Sequence, residues 1–244
     1  MRPRLTVITA GRVLTQLRRD PRTIALMLGV PTILVVLMRY VFNDSRIFDA
    51  LAPSLICVFP FVMMFVVTSV ATLHERTRGT LERLMTMPVA RLDLLLGYAL
   101  AFAIFAAVQV GVVTLVSLTL LGLNVTGSVA LLVVIGVLDA LLGMALGLFV
   151  SAFAATEFQA VQFMPLVAFP QVFLSGLFKP REEMAGVLSG ISDGLPLSYA
   201  VDAIKLVTAS TAVAAQLGRD VGVVAGSIVL ALVLGAATLR RRSP

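Results

Sequence analysis

The sequence has no tryptophan, one cysteine, one histidine and little charge. Only 13% of its 244 residues are Asp, Glu, Lys or Arg, whereas soluble domains carry about a quarter. The lone Cys57 excludes a disulfide within the chain. The lone His74 argues against a serine–histidine–aspartate site, and no cluster has the spacing of metal ligands. We therefore expect no catalytic residues and no metal site in this chain.

Apolar residues, in contrast, are abundant. They make up 59% of the chain, and its mean hydropathy is +1.03. Because soluble domains are about half apolar, much of this surface must face a solvent other than water. The composition predicts an integral membrane protein with membrane lipids as partners. We assign the net charge of +6 to loops at the cytoplasmic membrane surface, so we expect no nucleic acid partner.

Six stretches are long and apolar enough to cross a membrane as helices, which takes about 20 mainly apolar residues. They lie at 23–42, 52–73, 92–121, 129–152, 160–178 and 221–239. They do not alternate between apolar and polar residues, as the strands of a membrane barrel would. The sequence therefore predicts an all-α integral membrane protein, with residues 1–244 forming a single transmembrane domain.

Lysine and arginine are unevenly divided between the two ends of these predicted spans. With both termini inside, thirteen basic residues lie on the cytoplasmic side and five on the other. Since cytoplasmic loops are rich in Lys and Arg, this predicts a multi-pass protein with both termini in the cytoplasm. The abundance of Arg, Ala, Gly and Val is typical of a GC-rich bacterial genome, so we expect a bacterial plasma (inner) membrane.

The segment at 4–19, before the first span, has the pattern of an interfacial helix. Five apolar residues share one helical face: Val7, Ala10, Val13, Leu14 and Leu17. This favours an amphipathic helix on the inner membrane surface. A plain basic arm is the alternative, because Ile8 falls on the wrong face. Asp20 and Pro21 then predict the start of a new helix, with Asp20 as its N-cap.

A polar segment, HERTRGTLERLMTMPVAR at 74–91, separates the second and third predicted spans. Gly79 can end the preceding helix, and Thr80 can cap a short new one. Three apolar residues then fall on one face: Leu81, Leu84 and Met85. An apolar ridge flanked by charges suits docking onto a cytosolic protein. A solvated basic loop would explain the charges equally well, but it would not explain the ridge.

The stretch HERTRGTLERLMTMPVARLDLLLGYAL at 74–100 resembles the E-R-x-x-G-T-L-E-x-L…P-V-x-R…L-L-x-G-K pattern of the ABC type-2 permease family. This family comprises the membrane subunits of ATP-binding-cassette exporters. LRRDPRT, ATEFQAVQFMPLVAFPQVFLSGLFKPREEM and LPLSYAVDAIKLV resemble other segments of the family, with Lys205 where the family more often has Arg. Within the family, the likeness is greatest to the daunorubicin-resistance type of bacterial drug exporter.

The resemblance implies a half-transporter of six spans, to be paired with a second permease, identical or homologous. It implies a coupling helix at about 80–87 that docks on a cassette ATPase. It also implies a re-entrant external element at about 180–205, for which an ordinary external loop is the alternative. We predict that the coupling contact is made by Glu75, Arg78, Gly79, Leu81, Glu82, Arg83, Leu84 and Met85.

The resemblance places the cargo path along the second and fifth spans. The candidate lining residues are Phe61, Met64, Phe65, Phe169 and Phe173, although each could equally face lipid or a neighbouring helix. Asp139 lies near the middle of the fourth span, where an unpaired charge costs at least ~2.5 kcal/mol. We expect it to be neutral, or paired with Gln109 or Gln162. The alternative is that it receives a cationic amphiphile.

The sequence contains no GxxxxGK[ST] phosphate loop, so we expect no enzyme activity and no cofactor in the chain itself. ATP and Mg²⁺ would bind to the partner ATPase. We expect a permease subunit that exports hydrophobic or amphiphilic compounds, of the multidrug efflux and antibiotic resistance type. Export of a lipid or a lipid-linked glycan is an alternative, although a saccharide path would favour more Tyr and Trp. A proton-coupled secondary transporter is a further alternative, for which one midspan acid is few.

Overall fold

The structure is a computed structural model, and it describes residues 3–77, 91–209 and 215–238. Within these ranges the chain is helical and has no strand. The helices are α1 (Pro3–Arg18), α2 (Pro21–Phe42), α3 (Ser45–Thr77), α4 (Arg91–Thr119), α5 (Val129–Ser151), α6 (Glu157–Leu174), α7 (Gly186–Asp193), α8 (Pro196–Ala209) and α9 (Ala215–Thr238), with a 3₁₀ turn at Arg181–Glu183. The predicted all-α architecture is confirmed for the part of the chain described.

Five of these helices are long and apolar enough to cross a membrane: α2, α3, α4, α5 and α9. They coincide with five of the six predicted spans, and the chain is a multi-pass membrane protein. The remaining prediction, 160–178, falls on α6 and is not among the five. The reason is its composition, since its 18 residues include Glu157 and three glutamines.

The predicted interfacial segment at 4–19 forms α1, which packs along α4. Ala10 and Val13 are buried in this contact, and Gly97 of α4 lies against the side chain of Thr9. Val7 points away from the contact and is 62% exposed. The predicted apolar face is therefore only partly turned towards the bundle.

The start of α2 follows its local sequence. The Asp20 carboxylate accepts hydrogen bonds from the Thr23 backbone nitrogen at 3.2 Å and from the Thr23 hydroxyl at 2.6 Å. Pro21 occupies the first turn, where its missing N–H is not needed. The hydrogen bonds from Thr23 lower the pKa of Asp20. The predicted N-cap is confirmed.

The centre of the bundle is formed by α3, which packs most extensively on α5. Gly143 and Gly147, one helical turn apart on α5, lie against the backbone carbonyl groups of Phe61 and Phe65. A side chain at either glycine would collide with that backbone, so these positions set how closely the two helices approach.

At the end of the bundle away from α1, the 120–128 loop joins neighbouring helices. The Arg39 side chain of α2 donates from Nε to the Leu121 carbonyl oxygen at 3.2 Å. The backbone nitrogens of Gly127 and Ser128 donate to carbonyl oxygens of α8, at Thr208 and Val207. This end of the bundle is therefore held together by hydrogen bonds to backbone carbonyl groups of elements far apart in sequence.

Candidate functional site

The predicted coupling contact falls largely outside the described residues. This applies to Arg78, Gly79, Leu81, Glu82, Arg83, Leu84 and Met85, and to the predicted coupling helix at 80–87. Their role remains a prediction. Glu75 lies in the last turn of α3 and is described.

Glu75 is at the centre of a polar cluster that joins three helices. Arg12 of α1 lies with Nη2 3.4 Å from Oε1 of Glu75 and 3.0 Å from the hydroxyl oxygen of Tyr98 on α4. The Tyr98 hydroxyl donates to the other oxygen of Glu75. Only 15% of the Glu75 side chain is exposed. Through these side-chain contacts Glu75 links α3 to α1 and α4, and it does not project from the surface.

Two further contacts join the same end of α3 to the start of α6. Nδ1 of His74 lies 2.8 Å from Oε1 of Glu157, and Nη2 of Arg76 donates to the Ala154 carbonyl oxygen at 2.6 Å. The end of α3 is thus bound to three other helices just before the predicted coupling helix. A displacement of α3 here would be transmitted to α1, α4 and α6.

Arg12, Tyr98 and Glu157 take part in these contacts, but no motif in the sequence marks them. They are distant from their partners along the chain, since Arg12 and Glu75 are 63 positions apart and His74 and Glu157 are 83 apart. All three lie on the predicted cytoplasmic side, which restricts the possible partners but does not pair them.

The predicted path residues have two different surroundings. On α3, Phe61, Met64 and Phe65 are fully buried within the chain. On α6, Phe169 is 41% and Phe173 is 61% exposed. The structure therefore places the first group in the core and the second on the surface, and a role in cargo passage remains a prediction for both.

The exposed side of α6 carries a continuous aromatic surface. The Phe169 and Phe173 rings meet edge to face at 6.3 Å, and Phe173 stacks on Phe178 at 5.6 Å. Phe158 and Leu166 on the same helix are also exposed. Phe178, which was not among the predicted path residues, extends this surface beyond the end of the helix.

Asp139 is fully buried in α5, as its midspan position predicts. Its partner is the Sγ of Cys57 on α3, which donates to Oδ2 at 3.1 Å. Neither predicted glutamine fills this role. The Gln109 amide donates to the Met27 carbonyl oxygen at 2.7 Å, and Gln162 is exposed. No motif in the sequence marks Cys57 as this partner, because a thiol is only a weak hydrogen-bond donor.

The predicted external element at 180–205 is composed of the 3₁₀ turn, α7 and most of α8. Arg181 holds these pieces together, since Nη1 donates to Oδ2 of Asp202 at 2.6 Å and Nη2 donates to Asp193. Burial alone would lower the pKa of Arg181, but the hydrogen bond and charge of Asp202 outweigh burial and raise it. Burial lowers the pKa of Lys205, whose ammonium donates to the Gly176 carbonyl oxygen at 2.5 Å.

The chain matches a known protein family over most of its length. Residues 4–207, which include the Glu75 cluster and Asp139, match the ABC-2 type transporter family. The chain belongs to the ABC-2 type transporter family. The resemblance read from the sequence is thereby confirmed.

Three curated relatives illustrate the range of ABC-2 type transporters that this chain resembles. It is 29% identical over 162 residues to ABC transporter G family member 20 of Dictyostelium discoideum, covering 66% of this chain and 22% of that protein. It is 28% identical over 169 residues to the probable multidrug ABC transporter permease YbhS of Escherichia coli (strain K12), covering 68% and 45%. It is 28% identical over 153 residues to the linearmycin resistance permease protein LnrN of Bacillus subtilis (strain 168), covering 62% and 40%. The matches thus span less than half the length of each of these relatives.

Proposed function

We propose that this ABC-2 type chain is the membrane-spanning permease subunit of an exporter that moves hydrophobic or amphiphilic compounds out of a bacterial cell. The observation that carries the proposal is the Glu75 cluster, which binds the end of α3 to α1 and α4 directly before the predicted coupling helix. A force applied to the coupling helix would be transmitted to α1 and α4 through the Glu75 cluster. The names of the multidrug and linearmycin resistance relatives support the drug-efflux type.

In this proposal α6 also crosses the membrane as the fifth of six spans, both termini are cytoplasmic, and α1 lies at the inner membrane surface. At 18 residues, α6 is about 27 Å long, slightly short of the ~30 Å hydrocarbon layer. Contact between its glutamine side chains and lipid would be unfavourable, because polar groups are costly in the hydrocarbon layer. A second permease subunit, identical or homologous, would cover its exposed side and complete the cargo path.

The energy would come from a separate cassette ATPase, which binds ATP and Mg²⁺ in the cytoplasm. Its closure on ATP would move the coupling helices of the two permeases and change which side of the membrane the cargo path opens to. A compound is transported only if its affinity differs between these two states. This chain would provide the Glu75 cluster and the cargo path, and the ATPase would hydrolyse ATP.

The proposal is tested by co-expressing the chain with a cassette ATPase that co-purifies with it and reconstituting the complex in liposomes. We expect ATP-dependent movement of a hydrophobic dye, and ATPase activity that rises with some amphiphilic compounds. The control complex carries an ATPase whose phosphate-loop lysine is replaced by alanine. Dye movement driven by a proton gradient without ATP would contradict the proposal and favour a secondary transporter. Stimulation by lipids alone would favour lipid export.

A further inference from the structure

A polar cavity lies at the end of the bundle away from α1, between the 3₁₀ turn, α7, α8 and the first turns of α9. Its volume is about 260 Å³. Typical pockets for drug-sized ligands measure about 300–1,000 Å³. The cavity is therefore large enough for the charged head of an amphiphile but too small for the whole molecule. We call it the acidic cavity.

Negative charge predominates in the acidic cavity. Four carboxylates line it, those of Glu182, Asp193, Asp202 and Asp220, against the two guanidinium groups of Arg181 and Arg219. Asp193 and Asp202 both form ion pairs with Arg181. The positive charge within the cavity thus neutralises only part of the acidic charge, and the surplus favours a cation over an anion.

Asp220 is the carboxylate of the acidic cavity whose hydrogen bonding these contacts leave incomplete. It lies in the second turn of α9, lines the acidic cavity and is only 3% exposed. Its Oδ2 has no hydrogen-bond partner among the described residues. Arg219, its neighbour in sequence, instead lies over the Tyr199 ring at 5.9 Å. A buried carboxylate oxygen without a donor is costly, so a ligand that supplies N–H groups and positive charge would be bound favourably here.

We propose that the acidic cavity binds the ammonium group of an organic cation, with Asp220 as the counter-ion. A bare metal ion fits less well, because the described residues hold no group of three His, Cys, Asp or Glu side chains arranged to ligate one. An ammonium group needs one counter-ion and a few oxygen acceptors, and Ser189 and Gln216 add polar atoms to the lining. The cavity's role as an exit site for cationic cargo rests on the proposed export function, but its ability to bind an ammonium does not.

The test measures binding of dansylcadaverine, a fluorescent primary ammonium, to the purified full chain in detergent, with n-butylammonium as competitor and n-butanol as the neutral control. We expect Asp220→Asn to weaken binding by about tenfold or more, since it removes a buried charge partner. The matched control is Asp44→Asn, which makes the same charge change at the same end of the bundle outside the cavity. It should leave the affinity unchanged.

Arg219→Gln provides a second, opposite test that does not depend on the folding of the Asp220 variant. Removing this competing cation should tighten ammonium binding by about threefold. Unchanged affinity in both variants, competition by n-butanol, or tighter binding of dansylglycine (an anion) would overturn the assignment. If the binding results hold but the ATPase complex moves no cationic dye, the export role fails and the site stands. If the complex exports the dye while neither variant changes binding, the site fails and the export function stands.

Discussion

The backbone carbonyl of Phe61 on α3 lies against Gly143 on α5 so closely that no side chain fits between them. Phe65 and Gly147 repeat the contact one turn further along. The α3–α5 interface therefore depends on two positions that lack a side chain. This close approach of two helices gives a direct prediction.

Gly143→Ala should destabilise the protein by about 1–3 kcal/mol, because the new methyl group would force apart two backbones rather than displace a flexible side chain. The measurement is thermal unfolding of the purified chain in detergent. Gly111→Ala on α4 is the matched control, since nothing lies within 4 Å of the position its Cβ would take. Equal melting temperatures for the two variants would contradict the described packing.

Tyr98→Phe should lower the stability by about 1–3 kcal/mol, because it removes a hydroxyl that hydrogen-bonds both Glu75 and Arg12. In the complex with its ATPase it should also weaken the link between ATP hydrolysis and transport. Tyr40→Phe is the control, since Tyr40 is 70% exposed. If Tyr98→Phe behaves like Tyr40→Phe in both assays, the Glu75 cluster neither stabilises the bundle nor couples ATP hydrolysis to transport.

Combining Glu82→Ala with Arg83→Ala should reduce substrate-stimulated ATPase activity without affecting membrane insertion, because these residues belong to the predicted coupling contact. The control is the pair Lys179→Ala and Glu183→Ala, which also removes one base and one acid. That pair forms an exposed ion pair, with its charged atoms 4.0 Å apart. Undiminished coupling in the Glu82 and Arg83 variant would refute the assignment.

Asp139→Asn should fold and transport normally, because an amide oxygen can still accept the hydrogen bond from Cys57 and no charge is needed between α3 and α5. Asp139→Lys should impair insertion, since a charge at that depth costs at least ~2.5 kcal/mol. Transport of one cationic and one neutral dye is the informative assay. Selective loss of the cationic dye in Asp139→Asn would show that Asp139 contacts cargo.

Features encoded locally could be predicted from the sequence. The long apolar runs located five membrane-spanning helices, and the Asp20–Pro21 pair located the start of α2, because length, composition and capping are properties of neighbouring residues. The pattern around 74–100 identified the family for the same reason, since it too is made of neighbouring residues.

Contacts between distant helices could not be predicted in this way. The burial of Phe61 and the exposure of Phe173 could not be distinguished, because an apolar side chain in a membrane suits lipid and protein neighbours alike. The pairing of Asp139 with Cys57 depends on how closely α3 approaches α5, which the two glycines determine. That Oδ2 of Asp220 has no hydrogen-bond partner within the described ranges becomes apparent only once α9 is placed beside α8.

The length of α3 has a mechanical consequence. Its 33 residues form a rod of about 50 Å, well beyond the ~30 Å of hydrocarbon that it crosses. Phe61 lies at its midpoint, where Gly143 holds it against α5. Pro60, directly beside that contact, removes one backbone hydrogen bond of the helix, so α3 has its bending point where α5 holds it. A push on the Glu75 end would thus be taken up as bending at Phe61 before it reached the Ser45 end at the opposite membrane face.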